Sequence, residues 1–137
     1  MLSNKTKCRV IYGDTDNMGF AYYANYLRWF EIGRTEMFRS FGLTYKEIES
    51  KGFYLPVSEV YCKYMAPAQY DDVLVIETSL DSTVRGGMKF DYIIYSEDGK
   101  KIAKGYTKHA CVDGNNRVVR PPGILLEIIN KMSEKSS

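Results

Sequence analysis

An α+β fold, an antiparallel sheet with a helix on one face, is what the periodicity of this 137-residue chain predicts. One long run with helical spacing stands early, between residues 22 and 41, and four runs with the period of two follow it after Gly52. No internal repeat, linker or low-complexity stretch interrupts that order, so residues 1–137 are expected to make one domain.

Cys8 to Tyr12 reads as the first strand. Tyr22 to Phe41 carries an apolar stripe of Tyr22, Tyr26, Trp29 with Phe30, Gly33, Met37 and Phe41, while Arg28, Glu31, Arg34, Glu36 and Arg39 cover the other faces as opposite-charge pairs at i,i+3 spacing. Gly33 costs about 1 kcal/mol in helix propensity, so it is expected where the helix approaches a sheet closely. Gly42 suits a C-cap. Thr44 to Lys51 predicts a short second helix, with Thr44 and Glu47 in capping-box spacing and Gly52 as its stop.

Beyond Gly52 the pattern alternates. Val60, Cys62 and Tyr64 alternate with Glu59 and Lys63; Leu74, Ile76, Thr78 and Leu80 with Glu77 and Ser79; Met88, Phe90, Tyr92 and Ile94 with Lys89 and Asp91. Three half-buried strands are expected there. Asp98-Gly99 is a strong hairpin turn into a fourth strand, Lys101 to Val112, on which Ala103, Gly105, Thr107, His109 and Cys111 share a face of mostly small side chains that would let a helix lie close. A turn at Asp113-Gly114-Asn115-Asn116 follows, and Pro121-Pro122 leads into a final amphipathic helix with Ile124, Leu125, Ile128, Ile129 and Met132.

Composition removes several classes of function. A net charge of +2 with 26% charged residues argues against a nucleic-acid-binding domain driven by a strong basic field. Cys8, Cys62 and Cys111 are odd in number and lack C-x-x-C spacing, so reduced, cytoplasmic thiols are expected rather than disulfides or a zinc cluster. The first seven residues are polar and basic without the apolar segment of a signal peptide, and nowhere do about 18 apolar residues run together, so a soluble protein with no membrane span is expected. Twelve tyrosines exceed what a modest core requires, and an oligomer would use the surplus.

The run Tyr12 to Leu27 carries the candidate chemistry. Asp14 and Asp16 stand just before a helix start, where about four backbone N–H groups lack intrahelical partners and roughly half a positive charge accumulates. A carbonyl oxygen placed there is polarised, and a neighbouring carboxylate can attack the carbonyl or activate water. By spacing alone, turn forming and capping are the ordinary uses of such acids. A calcium loop is excluded, because Met18 stands where an oxygen ligand is needed and Asn25 where a Glu is needed. The single histidine, His109, has Cys111 two residues on, but such neighbours on a strand are about 6–7 Å apart, beyond the reach of proton transfer. His109 is therefore expected to be a satisfied, half-buried residue. Gly-x-Ser-x-Gly, P-loop and dinucleotide-binding motifs are missing.

The stretch Tyr12-Gly13-Asp14-Thr15-Asp16-Asn17-Met18-Gly19-Phe20-Ala21-Tyr22-Tyr23-Ala24-Asn25-Tyr26-Leu27 resembles the signature of the 4-hydroxybenzoyl-CoA thioesterase-like branch of the hotdog-fold thioesterases: an aromatic, a short acidic run, a Gly and an aromatic-x-Asn-Tyr helix start. The likeness extends to Tyr64-Met65-Ala66-Pro67-Ala68-Gln69-Tyr70-Asp71-Asp72 and Arg85-Gly86-Gly87-Met88-Lys89-Phe90, and covers nearly the whole chain. It implies a hotdog, a curved antiparallel sheet wrapped around one long helix, and an acyl-CoA thioesterase acting on a fatty or aromatic acyl-CoA. Asp16 falls on the catalytic position, as nucleophile or general base, and the backbone N–H of Tyr23 on the group that polarises the thioester carbonyl. Asp14 is expected to be structural.

By the same resemblance Gly19, Tyr22, Asn25 and Tyr26 hold the helix start and wall the pocket, and Arg85, Met88 and Lys89 lie in a region used near the nucleotide. Arg117 and Arg120 are further candidates for the phosphates of coenzyme A, which Arg binds in bidentate fashion. Short-chain members carry His where Tyr23 stands, and the aromatic-acyl enzyme carries Tyr. No metal or redox cofactor is needed. The family implies a homodimer joined edge to edge, pairing into a homotetramer, with each pocket built from both chains. The alternatives are a thioesterase acting on acyl groups carried by acyl carrier protein, and a non-catalytic acyl-CoA-binding protein.

Overall fold

The computed structural model describes residues 3–81, 83–84, 86–127 and 130. Five strands, β1 (Ser3–Arg9), β2 (Val57–Tyr64), β3 (Val73–Leu80), β4 (Gly87–Ser96) and β5 (Lys101–Ala110), form one antiparallel sheet in the order β1-β3-β4-β5-β2. Helix α1 (Asn25–Ser40) packs on β1, β3 and β4, and the short α2 (Tyr45–Ser50) follows it. The Thr44 hydroxyl caps α2 by accepting from the Glu47 N–H at 3.2 Å, in the spacing expected.

The core lies between α1 and the sheet. Tyr26, Trp29, Phe30, Met37 and Phe38 of α1 are buried against Leu74, Ile76 and Leu80 of β3 and Met88, Phe90, Tyr92 and Ile94 of β4. Both strands alternate strictly, so a slip of one residue would turn that face to solvent. Each large side chain removed from water contributes about 1.5–3 kcal/mol, and the stack of Phe30 on Tyr92, at 4.3 Å and 8°, adds a specific contact.

Two glycines set how closely the layers approach. A Cβ at Gly33 would stand 2.8 Å from Ile76 Cγ2 and nearer still to Thr78 Oγ1, which is the close approach its place in the helix predicts. A Cβ at Gly105 would run into the Tyr61 main-chain oxygen and lie 3.0 Å from the Phe30 ring. The small-residue face of β5 thus admits Phe30.

Several boundaries differ from expectation. The first strand is Ser3–Arg9 rather than Cys8 to Tyr12, because its ladder with β3 runs from Ser3↔Ser79 to Arg9↔Val73 and the chain then turns away. Its polar Lys5, Lys7 and Arg9 face outward, toward Glu77, Glu97 and Asp71. The long helix begins at Asn25, not Tyr22, and the Tyr22 N–H donates to the Asp14 carbonyl at 2.7 Å, tying the residues before the helix to the loop. β2, expected to be half-buried, is exposed along its length except for half-buried Cys62, because it is an edge strand whose contact with α1 is at its last residue, where Tyr64 meets Tyr26. The last strand ends at Ala110, and Val112 joins Tyr54 and Val118 in isolated bridges instead. Of the final helix, 123–127 are helical and Leu125 is buried, while Ile128, Ile129 and Met132 lie outside the described residues.

Because the obstacle at Gly105 is the backbone of the neighbouring strand, Gly105→Ala is expected to cost about 1–3 kcal/mol, read as a fall in Tm by thermal unfolding. An unchanged Tm would show that β2 and β5 can part at Tyr61 without penalty.

Candidate active site

After β1 the chain makes one 3-10 turn, Tyr12–Asp14, and doubles back so that Thr15 bridges Ala21. Asp14 anchors this segment. It is 5% exposed; Oδ1 accepts from Arg28 Nη2 at 2.6 Å and Oδ2 from the Ile11 N–H at 3.0 Å. Its main-chain oxygen accepts from the Tyr22 N–H at 2.7 Å and from Asn25 Nδ2 at 2.8 Å. A carboxylate is held inside a protein only when its charge and lone pairs are answered, and here Arg28 and the Ile11 N–H do so. Asp14 is structural, as expected, and Asn25 helps to hold the helix start.

Asp16, two residues on, is exposed. Its N–H donates to the Phe20 carbonyl at 2.8 Å, and its Oδ1 accepts from the N–H groups of Met18 at 2.8 Å and Phe20 at 3.3 Å. Gly19, at φ 81°, closes the loop by donating to the Asp16 carbonyl at 3.1 Å. Oδ2 of Asp16 has no hydrogen-bond partner among the described residues. One oxygen is therefore oriented and the other is free to take a proton or attack.

The helix start that follows this loop is open. The N-cap is Ala24, which has no side-chain acceptor. The N–H groups of Asn25, Tyr26 and Leu27 donate to carbonyls three residues back, at 2.9, 3.3 and 3.2 Å, and those of Tyr23 and Ala24 have no partner among the described residues. The expectation named Tyr23 alone. The unpartnered Ala24 N–H was missed, and no residue type in the sequence signals it. A shallow hollow of about 360 Å³ adjoins this helix start, lined by Ala21, Tyr23, Tyr26, Tyr64, Met65 and Pro67.

Asp16, Gly19, Tyr22, Tyr23, Asn25 and Tyr26 thus belong to one loop and helix start, with Tyr22 exposed and Tyr26 buried. Met88 is elsewhere, buried in the core opposite His109. Lys89 lies on the outer face of the sheet, its Nζ 3.4 Å from Asp91, 3.7 Å from Asp81 and 4.8 Å above the Tyr106 ring. Arg85 lies outside the described residues, and Arg117 and Arg120 are exposed. A larger hollow, about 610 Å³, sits beside the later turns of α1 against Glu31, Arg34, Tyr45, Tyr54 and Leu55, and holds none of the candidate residues, so size alone does not locate the chemistry. Among the described residues no cluster of His, Cys, Asp and Glu could hold a metal, and no helix is long and apolar enough to cross a membrane.

A family model described as the thioesterase-like superfamily matches residues 10–130. The chain belongs to that superfamily. This thioesterase-like chain is 32% identical over 106 residues to the acyl-CoA thioesterase YbgC of Haemophilus influenzae, covering 77% of each. The crystal structure of a hypothetical protein from Aquifex aeolicus superposes with a TM-score of 0.86 at 34% identity, covering 92% of this chain and 98% of that one. A DHNA-CoA thioesterase from Staphylococcus aureus superposes with a TM-score of 0.90 at 23% identity, covering 98% of this chain and 93% of that one, and shows the shared hotdog fold.

His109 takes no part in the loop. It is buried, more so than expected, and ends a chain of hydrogen bonds. Arg34 Nη1 donates to Tyr92 Oη at 3.5 Å, Tyr92 to Thr107 Oγ1 at 2.7 Å, Thr107 to His109 Nε2 at 2.8 Å, and His109 Nδ1 to the Leu55 carbonyl at 2.9 Å. Protonation would put a second donor on Nε2 and reverse this order, leaving the Tyr92 hydroxyl facing the Arg34 donor. Burial chiefly pushes the imidazole pKa down to about 4 from 6.5. The unfolded chain binds this proton near pH 6.5 and the folded chain only near pH 4, so the His109 contribution is complete above pH 6.5 and is lost as pH falls through that window. His109→Gln is expected to flatten the fall of unfolding free energy between those pH values by about 3 kcal/mol, measured by denaturant titration against the unsubstituted protein. Parallel curves would remove His109 as the source.

Proposed function

We propose that this protein hydrolyses the thioester of a fatty or aromatic acyl-CoA to the free acid and coenzyme A. The observation that carries the reading is that one loop and helix start supplies both an oriented, half-satisfied Asp16 carboxylate and two unpartnered N–H groups. The relatives named as acyl-CoA thioesterases support it. In the hydrolytic route the thioester oxygen accepts from the N–H groups of Tyr23 and Ala24, Asp16 Oδ2 takes a proton from water, and the water oxygen adds to the carbonyl carbon. The oxyanion then collapses, the C–S bond breaks, and Asp16 gives the proton it took from water to the departing thiolate. In the nucleophilic route Oδ2 attacks the carbon itself, the thiolate leaves, and water hydrolyses the mixed anhydride.

Tyr22 and Tyr26 serve as walls for the acyl group in this reading, and the phosphates bind to cations supplied around Arg85. Coenzyme A rather than acyl carrier protein is the favoured donor on the names of the relatives. The free thiols of Cys8, Cys62 and Cys111 suit a cytoplasmic setting. The open edge β2, with Val60, Tyr61 and Tyr64 each 44% or more exposed, supports a homodimer joined along that edge.

A panel of short, long and aromatic acyl-CoAs and acyl carrier protein thioesters, read by thiol release, tests the activity. Asp16→Asn is expected to lower kcat about a hundredfold or more with Tm unchanged, whereas Asp14→Asn mainly lowers Tm. Near-normal turnover in the Asp16 variant would exclude the assignment and favour an acyl-CoA-binding protein without catalysis. For the assembly, sedimentation should give a dimer that Val60→Asp disperses to monomers; a dimer indifferent to that change does not use β2.

A further inference from the structure

Tyr64, the last residue of β2, reaches across to the start of α1, where its Oη donates to the Tyr23 main-chain oxygen at 3.0 Å. Its ring meets Tyr26 edge-on at 4.8 Å and Tyr23 at 6.4 Å. The strand end is held firmly: Tyr64 pairs with Ala103 of β5, and the N–H groups of Met65 and Ala66 both donate to the Ile102 carbonyl, at 2.9 and 3.1 Å. The other partner of the Tyr23 carbonyl is the Tyr26 N–H at 3.3 Å, a long hydrogen bond.

A trans peptide keeps its C=O and N–H antiparallel in one plane, so whatever fixes one fixes the other. The plane holding the Tyr23 oxygen holds the Ala24 N–H, one of the two donors left without a partner. We infer that Tyr64 is a positioning residue, whose hydroxyl sets the tilt of the Tyr23–Ala24 peptide and so aims the Ala24 N–H at the reacting carbonyl. This role rests on the thioesterase reading. A phenol suits it because it is neutral and brings no charge to compete with the oxyanion. Burial chiefly pushes its pKa up to about 12, so it stays a donor across the working range of pH.

Tyr64→Phe removes the hydroxyl and keeps the ring on Tyr26. The expected result is a fall in kcat of about three- to tenfold at temperatures well below unfolding, with KM unchanged and Tm lowered by no more than a few degrees. An independent readout is the backbone 15N resonance of Ala24, which should move upfield, since a hydrogen bond to a carbonyl deshields the nitrogen of the same peptide. Tyr64→Leu, which also removes the ring, should raise KM and lower Tm. An unchanged kcat in Tyr64→Phe while the unsubstituted protein hydrolyses thioesters overturns the inference, as does a loss of kcat that tracks Tm or an Ala24 resonance that does not move. If the unsubstituted protein hydrolyses no thioester, it is the proposed function that fails, and the Ala24 resonance alone decides whether Tyr64 sets that peptide.

Discussion

Everything around the candidate site hangs from the burial of one carboxylate. Leaving Asp14 uncompensated inside the protein would cost several kcal/mol, so the exit of β1, the 3-10 turn and the start of α1 converge where Arg28 and the Ile11 N–H can answer its carboxylate, while Tyr22 and Asn25 hold its main-chain oxygen. Arg28 comes from the second turn of the helix, so helix and loop are tied at a separation set by one ion pair. With Asp14 fixed, the next few residues have little choice: Thr15 meets Ala21, and Asp16 is carried to the tip of a closed loop. The acid that does no chemistry in the proposed reaction therefore decides where the other one stands.

The sheet and the long helix were legible because their burial is periodic. The alternation of Leu74, Ile76, Thr78 and Leu80, and of Met88, Phe90, Tyr92 and Ile94, is the same in sequence and in burial. Gly33 and Gly105 announced close packing for the reason found, the lack of room for a Cβ. What misled was hydrophobicity without its partner. β1 is polar and became a strand through pairing with β3, whereas most of β2 stays open because it is an edge strand, met by the helix at Tyr64. Pairing and strand order are non-local, and no window along the chain contains them.

The candidate site divides in the same way. Asp14, Asp16 and the helix start were visible as a local run, and the resemblance assigned structure to the first acid and chemistry to the second. Tyr64 could not have been joined to Tyr23 from the sequence, being 41 residues away and brought near by the β2–β5 ladder. Met88 and Lys89 are near neighbours in sequence to Arg85, yet strand alternation sends the first into the core and the second to the outer face. A motif read as a unit is split by the pleat.

The bare helix start at Ala24 sets protection against use. An Asp there would gain about 0.3–1 kcal/mol for α1 through the positive end of the helix dipole, the kind of substitution that stability-guided engineering selects. It would also hold a negative charge where negative charge must develop in the proposed reaction. Hardening this protein at its weakest cap would in that case trade catalysis for robustness, and the residue that most resembles a defect in the helix would be the one least free to be repaired.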